Sequence, residues 1–152
     1  MNTYKFLLIF FVGFLSAQQT GKCSFSNRSL SEEGKIFFAI KNISGKKMKV
    51  PIKYPGIWAR PTDIQIYNED KKDYETTTFV ADDIDCFNTD GCFGKMTCLK
   101  KGEMKEYEVQ IIPGRILKAF KEKKKYRFKL AFDTYLFTGC KDYITDWLYY
   151  QN

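Results

Sequence analysis

The chain has 152 residues, carries a net charge of +7 and contains no histidine. Without imidazole it has no Ser-His-Asp or Cys-His catalytic arrangement and no histidine-based zinc site, so we expect no enzyme, cofactor or metal. The basic balance favours an acidic protein or an anionic component of the cell envelope as partner, although surface lysines also serve solubility.

The first 17 residues are typical of a cleaved signal peptide. Lys5 precedes an apolar run from Phe6 to Leu15, and Leu15 and Ala17 occupy the two positions that a signal peptidase reads. About ten apolar residues are too few to span a bilayer. We therefore predict a leader over residues 1–17 and a secreted or periplasmic single domain over residues 18–152, with no transmembrane anchor. Export and the lack of a recognised motif argue against nucleic acid as a partner.

Five cysteines follow the leader, and an oxidising compartment favours their pairing. We prefer a bridge between Cys86 and Cys92, which closes a tight loop, and a second between Cys98 and Cys140. Cys23, near the mature terminus, is then the unpaired thiol. The spacing leaves the other pairings open.

Period-two alternation of apolar and polar residues predicts half-buried strands along the mature chain. A run of β-branched and aromatic residues, Thr76 to Val80, suits a pleated surface as well. The alternating apolar positions are Ile36, Phe38 and Ile40; Ile64 and Ile66; Tyr107, Val109 and Ile111; and Tyr126, Phe128, Leu130 and Phe132.

Polar segments with turn-forming residues separate these stretches. Residues 42–47 break one strand from the next, residues 68–73 are typical of a hairpin tip, and residues 100–103 precede another strand. The connections are too short for helical crossovers, which favours antiparallel pairing. About seven to nine strands in an all-β, antiparallel β-sandwich or a small barrel are therefore expected.

Two further elements are predicted near the C-terminus. Ile116, Leu117 and Phe120 share one face of a helix of a turn or two. Residues 143–150 read as a last aromatic strand that carries Trp147.

The order of these elements resembles that of small bacterial immunoglobulin-like domains. The resemblance rests on the Asn42-Ile43-Ser44-Gly45 turn, on residues 99–103 before a strand, and on the strand 126–130. It implies an immunoglobulin-like sandwich. Such domains are mostly binding or scaffold modules, and a few are proteinase inhibitors.

A proline-stiffened loop is the first candidate binding site. Tyr54, Trp58 and Arg60 lie among three prolines, and Trp and Arg are enriched at binding hot spots. A stiff loop also loses less entropy on binding. The alternative is that Trp58 packs into one end of the core.

An acidic loop is the second candidate. It contains Asp82, Asp83, Asp85 and Asp90 around Cys86, and its carboxylates resemble calcium ligands. The positions do not fit an EF-hand, so a loop held by a disulfide is favoured over a metal site. The same loop suits an inhibitor that plugs a hydrolase.

Two further surface features each allow either a binding role or a structural one. Trp147, Tyr149 and Tyr150 either recruit a partner or face the core. The lysines between residues 118 and 125 either meet an anionic surface or simply solvate a turn and discourage edge pairing.

These patterns favour an exported, non-enzymatic binding module that recognises a protein or an envelope component. Two alternatives remain: an inhibitor or immunity protein that blocks a secreted hydrolase, and a structural subunit of a surface assembly that pairs through an open strand.

Overall fold

A computed structural model of the chain describes residues 16–81, 84–112 and 118–152, and these residues form antiparallel β-sheets. The leader prediction falls mostly on residues 1–15, outside the described part, and Ser16 and Ala17 begin the first strand. The strands are β1 (Ser16–Thr20), β2 (Cys23–Asn27), β3 (Lys35–Asn42), β4 (Met48–Pro51), β5 (Ala59–Asn68), β6 (Asp73–Thr76), β7 (Met96–Leu99), β8 (Met104–Gln110), β9 (Lys125–Phe132), β10 (Tyr143–Ile144) and β11 (Leu148–Gln151).

Helices are short and lie in the connections. A 3-10 helix (Gly56–Trp58) precedes β5, α1 (Thr89–Phe93) precedes β7, and α2 (Tyr135–Thr138) follows β9. Within the described ranges, no helix has the length and hydrophobicity needed to traverse a bilayer.

The strands pair in three antiparallel sheets. The first has the order β1-β2-β3-β8, and the second has the order β10-β9-β5-β6 with β11 also paired to β9. The pair β4-β7 forms a small third sheet. The all-β, antiparallel class expected from the short connections is confirmed.

The core lies where the inner faces of the first two sheets meet. Phe38 of β3 stacks on Phe132 of β9 with ring centroids 4.1 Å apart, and it also contacts Tyr54, Tyr107 and Tyr143. The predicted inward positions of β3, β8 and β9 are all buried. The alternation was a sound guide in these strands because each has one face in the core and one in solvent.

Several expectations about single elements are wrong. The strand predicted over Thr76–Val80 ends at Thr76, and Val80 is 78% exposed. The predicted C-terminal strand is two strands, because Thr145 interrupts it with hydrogen bonds in both directions to Leu130. With such short pieces counted, eleven strands are described instead of seven to nine.

The helix expected around residue 118 is covered only in part. Ile116 and Leu117 lie outside the described residues. Phe120, the third member of that face, lies in a turn with a left-handed backbone (φ 62°) and is buried at 4% exposure. Its ring packs against Tyr126 and Phe128 of β9.

Two disulfides are formed, and one differs from the expected pairing. Cys86–Cys92 is confirmed, but Cys140 pairs with Cys23, 117 positions away, and not with Cys98. Cys23 lies on the buried face of β2 and so reaches the core side of the molecule, whereas Cys98 is an exposed free thiol on β7. Neighbouring residues of a strand face opposite sides. Leu99 of β7 points into the core, so Cys98 beside it points outward, away from the core side.

A bulge in β5 sets which of its residues face outward. Thr62 pairs with Lys129 and Gln65 with Arg127, so two residues of β5 oppose one residue of β9. Asp63 in the bulge adopts a left-handed backbone with φ 51°. After the bulge Ile64 is buried, and Gln65 lies on the outer face beside Arg127.

Candidate functional site

The proline-stiffened loop belongs to the core, not to the surface. Tyr54 and Trp58 are 6% and 4% exposed. The Trp58 indole N–H donates to the Cys92 carbonyl (3.0 Å), and the Tyr54 hydroxyl donates to the Trp58 carbonyl (2.7 Å). Burial raises the pKa of Tyr54 well above its usual value, with Asp133 adding to the shift. Both rings therefore lie in the core, as in the alternative reading of Trp58.

Arg60 has a structural partner as well. Its guanidinium bonds the Asp133 carboxylate through Nε (3.0 Å) and Nη2 (2.7 Å), and both side chains are mostly buried. Such a two-pronged pair fixes the orientation of both groups. Arg60 thereby joins the start of β5 to the end of β9.

The acidic loop is described only in part. Asp82 and Asp83 lie outside the described residues, Asp85 is exposed, and Asp90 belongs to α1. Within the described ranges, no group of three or more His, Cys, Asp or Glu side chains is placed to hold a metal ion.

The outer face of the second sheet carries a cluster of aromatic and cationic side chains. It is built on four adjacent strands or their ends, β6, β5, β9 and β11, and we call it the aromatic–cationic face. Its members are Tyr67, Tyr74, Arg127, Lys129, Trp147 and Tyr149.

Arg127 is at the centre of this face. Its guanidinium carbon lies 4.4 Å from the ring centre of Tyr74 and 4.7 Å from that of Trp147. Its Nε donates to Gln65 Oε1 at 2.6 Å. These contacts hold the guanidinium at the surface of the sheet, half-buried between two rings.

The remaining members extend the face to both sides. The Lys129 ammonium lies 4.9 Å from the Trp147 ring centre. Tyr74 contacts Tyr67 and Tyr149 edge to face, with ring centres 5.2 Å and 6.2 Å apart. Tyr149 is 60% exposed, so an aromatic edge is available to a partner.

The sequence of β9 explains why these groups point away from the core. Tyr126, Phe128 and Leu130 fill the inner positions, which places Arg127 and Lys129 on the outer face. Register then brings Tyr149 and Gln65 opposite Arg127, one on each neighbouring strand. Tyr67 and Tyr74 are opposite each other across the β5–β6 hairpin.

The environment of Tyr74 reflects the mixture of rings and cations. Desolvation raises its pKa, and Tyr149 adds to this, whereas Arg127 and Lys125 oppose the shift. Tyr74 is therefore a neutral phenol at physiological pH. It contributes a ring face and a hydroxyl to the site and carries no charge there.

A surface pocket of about 570 Å³ adjoins one end of the face. Tyr67 and Lys125 belong to both the pocket rim and the edge of the face, and the Lys125 ammonium lies 5.1 Å from the Tyr67 ring centre. Lys123 and Lys124 line the same pocket. The lysine-rich turn thus extends the charged surface beyond Arg127, where Glu69 and Glu75 line the same pocket as its lysines.

Sequence reasoning reached this site only at its margin. For Trp147 and Tyr149 the sequence left two roles open, partner binding and core packing, and both residues lie on the outer face. Tyr67, Tyr74, Arg127 and Lys129 were missed. The available signal was the polar half of the β9 alternation, where Lys125, Arg127 and Lys129 are all cations.

No protein-family model, curated protein or solved structure matches this chain.

Proposed function

We propose that the chain is an exported, non-enzymatic binding module, which recognises a protein or a component of the cell envelope through the aromatic–cationic face. The observation that carries the proposal is the position of Arg127 between Tyr74 and Trp147 on an outer sheet face. Trp, Tyr and Arg are the residue types most enriched at the energetic centres of protein interfaces. The two disulfides are in keeping with an oxidising compartment.

The immunoglobulin-like sandwich belongs to the same proposal. Stacking of Phe38 on Phe132 across the first two sheets supports two layers packed face to face. In such a fold, an outer sheet face remains open for recognition while the other face forms the core. An experimental structure with a different pairing of the layers would refute this part alone.

Quantitative affinity capture from envelope extracts tests the function. Wild-type protein is compared with Arg127→Gln and with Arg28→Gln. Arg28 lies on the outer face of the first sheet, over the Phe37 ring at 4.8 Å, so the control removes a stacked arginine of the same kind. We expect the Arg127 change to reduce recovery of the partner about tenfold and the Arg28 change to leave it within about twofold. Equal recovery with all three proteins would refute the assignment of this face.

A further inference from the structure

Two cations of the aromatic–cationic face and a third at its edge follow a regular spacing along β9. Lys125, Arg127 and Lys129 occupy alternate positions of one strand and point to the same side. Alternate residues of an extended strand are about 6.8 Å apart. The same repeat separates alternate side chains of any other extended polypeptide.

The outer face of the first sheet carries cations too, and two of them are ion-paired within the molecule. Arg28 forms an ion pair with Glu106 at 2.7 Å, and Lys35 contacts Glu108 at 3.3 Å. On the second sheet, Arg127 and Lys129 lie instead on aromatic rings. A ring attracts a cation without cancelling its charge, so the second sheet presents positive charge outward.

The contacts of the rings argue for carboxylates over sugars. Arg127 and Lys129 lie 4.7 Å and 4.9 Å from the Trp147 ring centre, so a ligand at this ring also meets two cations, whose charge a neutral sugar would leave unmatched. The guanidinium instead offers N–H donors in a planar fork that matches a carboxylate. Lys125, the most exposed of the three cations, forms an ion pair with Glu69 at 3.4 Å, so an incoming carboxylate competes with Glu69 at this position.

We infer that the partner presents an extended acidic segment of a protein, with Asp or Glu at alternate positions, which lies along β9 on the aromatic–cationic face. The inference rests on the proposed function and specifies its ligand. Carboxylates at alternate positions meet Lys125, Arg127 and Lys129 in turn. The residues between the carboxylates point away from β9, so their identity is left free.

Fluorescence anisotropy with synthetic peptides tests this. One labelled peptide alternates Glu with Ser, and a second has the same composition with its glutamates in one block. With three glutamates in each peptide, we expect the alternating peptide to bind about tenfold more tightly, because it places all three carboxylates on the β9 side, whereas a block of three places only two there. Arg127→Gln should weaken its binding about tenfold, whereas Arg28→Gln should change it less than about twofold.

Other results would overturn the inference. Equal affinity for both peptides would mean that the face responds to the net charge of a peptide and not to the spacing of its carboxylates. Tighter binding of an alginate oligosaccharide of matched charge would indicate an anionic polysaccharide instead. Far-ultraviolet circular dichroism verifies that each variant is folded before either comparison.

The two proposals fail in different ways. If neither peptide binds but Arg127→Gln still abolishes capture from extracts, the acidic-segment inference is wrong and the binding face stands. If capture is also insensitive to Arg127, the face itself is wrong.

Discussion

The guanidinium of Arg60 and the carboxylate of Asp133 form a two-pronged ion pair at 2.7 Å and 3.0 Å, which joins the start of β5 to the end of β9. Asp133→Asn should lower the free energy of unfolding by about 2 kcal/mol, since it removes one charge from this mostly buried, two-pronged pair. Urea unfolding measures the change. Arg28→Gln, at an exposed pair with Glu106, is the matched control and should cost less than about 1 kcal/mol. Equal losses of unfolding free energy would show that the mostly buried pair stabilises the fold no more than the exposed one.

The two disulfides close loops of very different size, with sequence separations of 117 and 6. Replacing Cys23 and Cys140 by Ala should therefore destabilise the protein about 2 kcal/mol more than replacing Cys86 and Cys92, because the longer bridge restricts the unfolded chain more. Thermal and urea unfolding of the two double variants checks the order. A larger loss for the Cys86–Cys92 pair would contradict the loop argument.

Cys98 is the one thiol left by this pairing. Native protein treated with iodoacetamide should gain a single adduct, located on Cys98 by peptide mass spectrometry. Cys98→Ser should remove the adduct and leave stability within about 0.5 kcal/mol, since the side chain is exposed. An adduct on Cys23 instead would restore the pairing of Cys98 with Cys140.

Buried tyrosines make stability fall at alkaline pH. Burial raises the pKa of Tyr54 and of Tyr107 in the folded state, while an unfolded tyrosine ionises near pH ~10. Unfolding above that pH releases protons, so this stability is complete below pH ~10 and is lost as the pH rises toward the folded-state pKa. Urea unfolding across this range measures the slope.

Tyr54→Phe is the informative variant for this slope. It should destabilise the protein near neutral pH by about 1 kcal/mol through the lost hydrogen bond to Trp58, yet show a shallower alkaline decline. An unchanged slope in Tyr54→Phe would contradict the assigned burial effect.

Gly34 is required by close approach in the turn before β3. It has φ 75°, and an added Cβ would lie 2.6 Å from the Ile112 Cβ. Gly34→Ala should therefore cost about 3 kcal/mol, from backbone strain together with overpacking. Gly45→Ala, where an added Cβ meets nothing within 4 Å, should cost less than about 1 kcal/mol. Similar unfolding midpoints for the two variants would refute the steric argument.

The fold class followed from sequence because the core strands largely alternate, with Ala39 of β3 and Ala131 of β9 as buried exceptions. β3, β8 and β9 each present one face to the core, and a two-residue period survives in such strands. The hairpin tip over residues 68–73 was also recognisable, since β5 ends at Asn68 and β6 begins at Asp73. Those signals are local, so a single sequence contains them.

The site was harder to foresee because it depends on distant neighbours. Trp58 and Trp147 are the same residue type, yet the first is buried and the second lies under two cations on an outer face. The bulge at Asp63 reverses the alternation of β5, and nothing in the sequence before it marks the reversal. The prediction of the cysteine pairing failed for the same reason, since the distance between Cys23 and Cys140 is a property of the folded chain.

The stacking of Arg127 also affects the entropy of any encounter at this face. A free arginine side chain has about 2 kcal/mol of rotamer entropy to lose when it is fixed in a complex. Here Tyr74, Trp147 and Gln65 already restrain the guanidinium in the unbound protein. Much of that ordering cost therefore falls on folding, and a ligand that bonds this guanidinium meets a preorganised group.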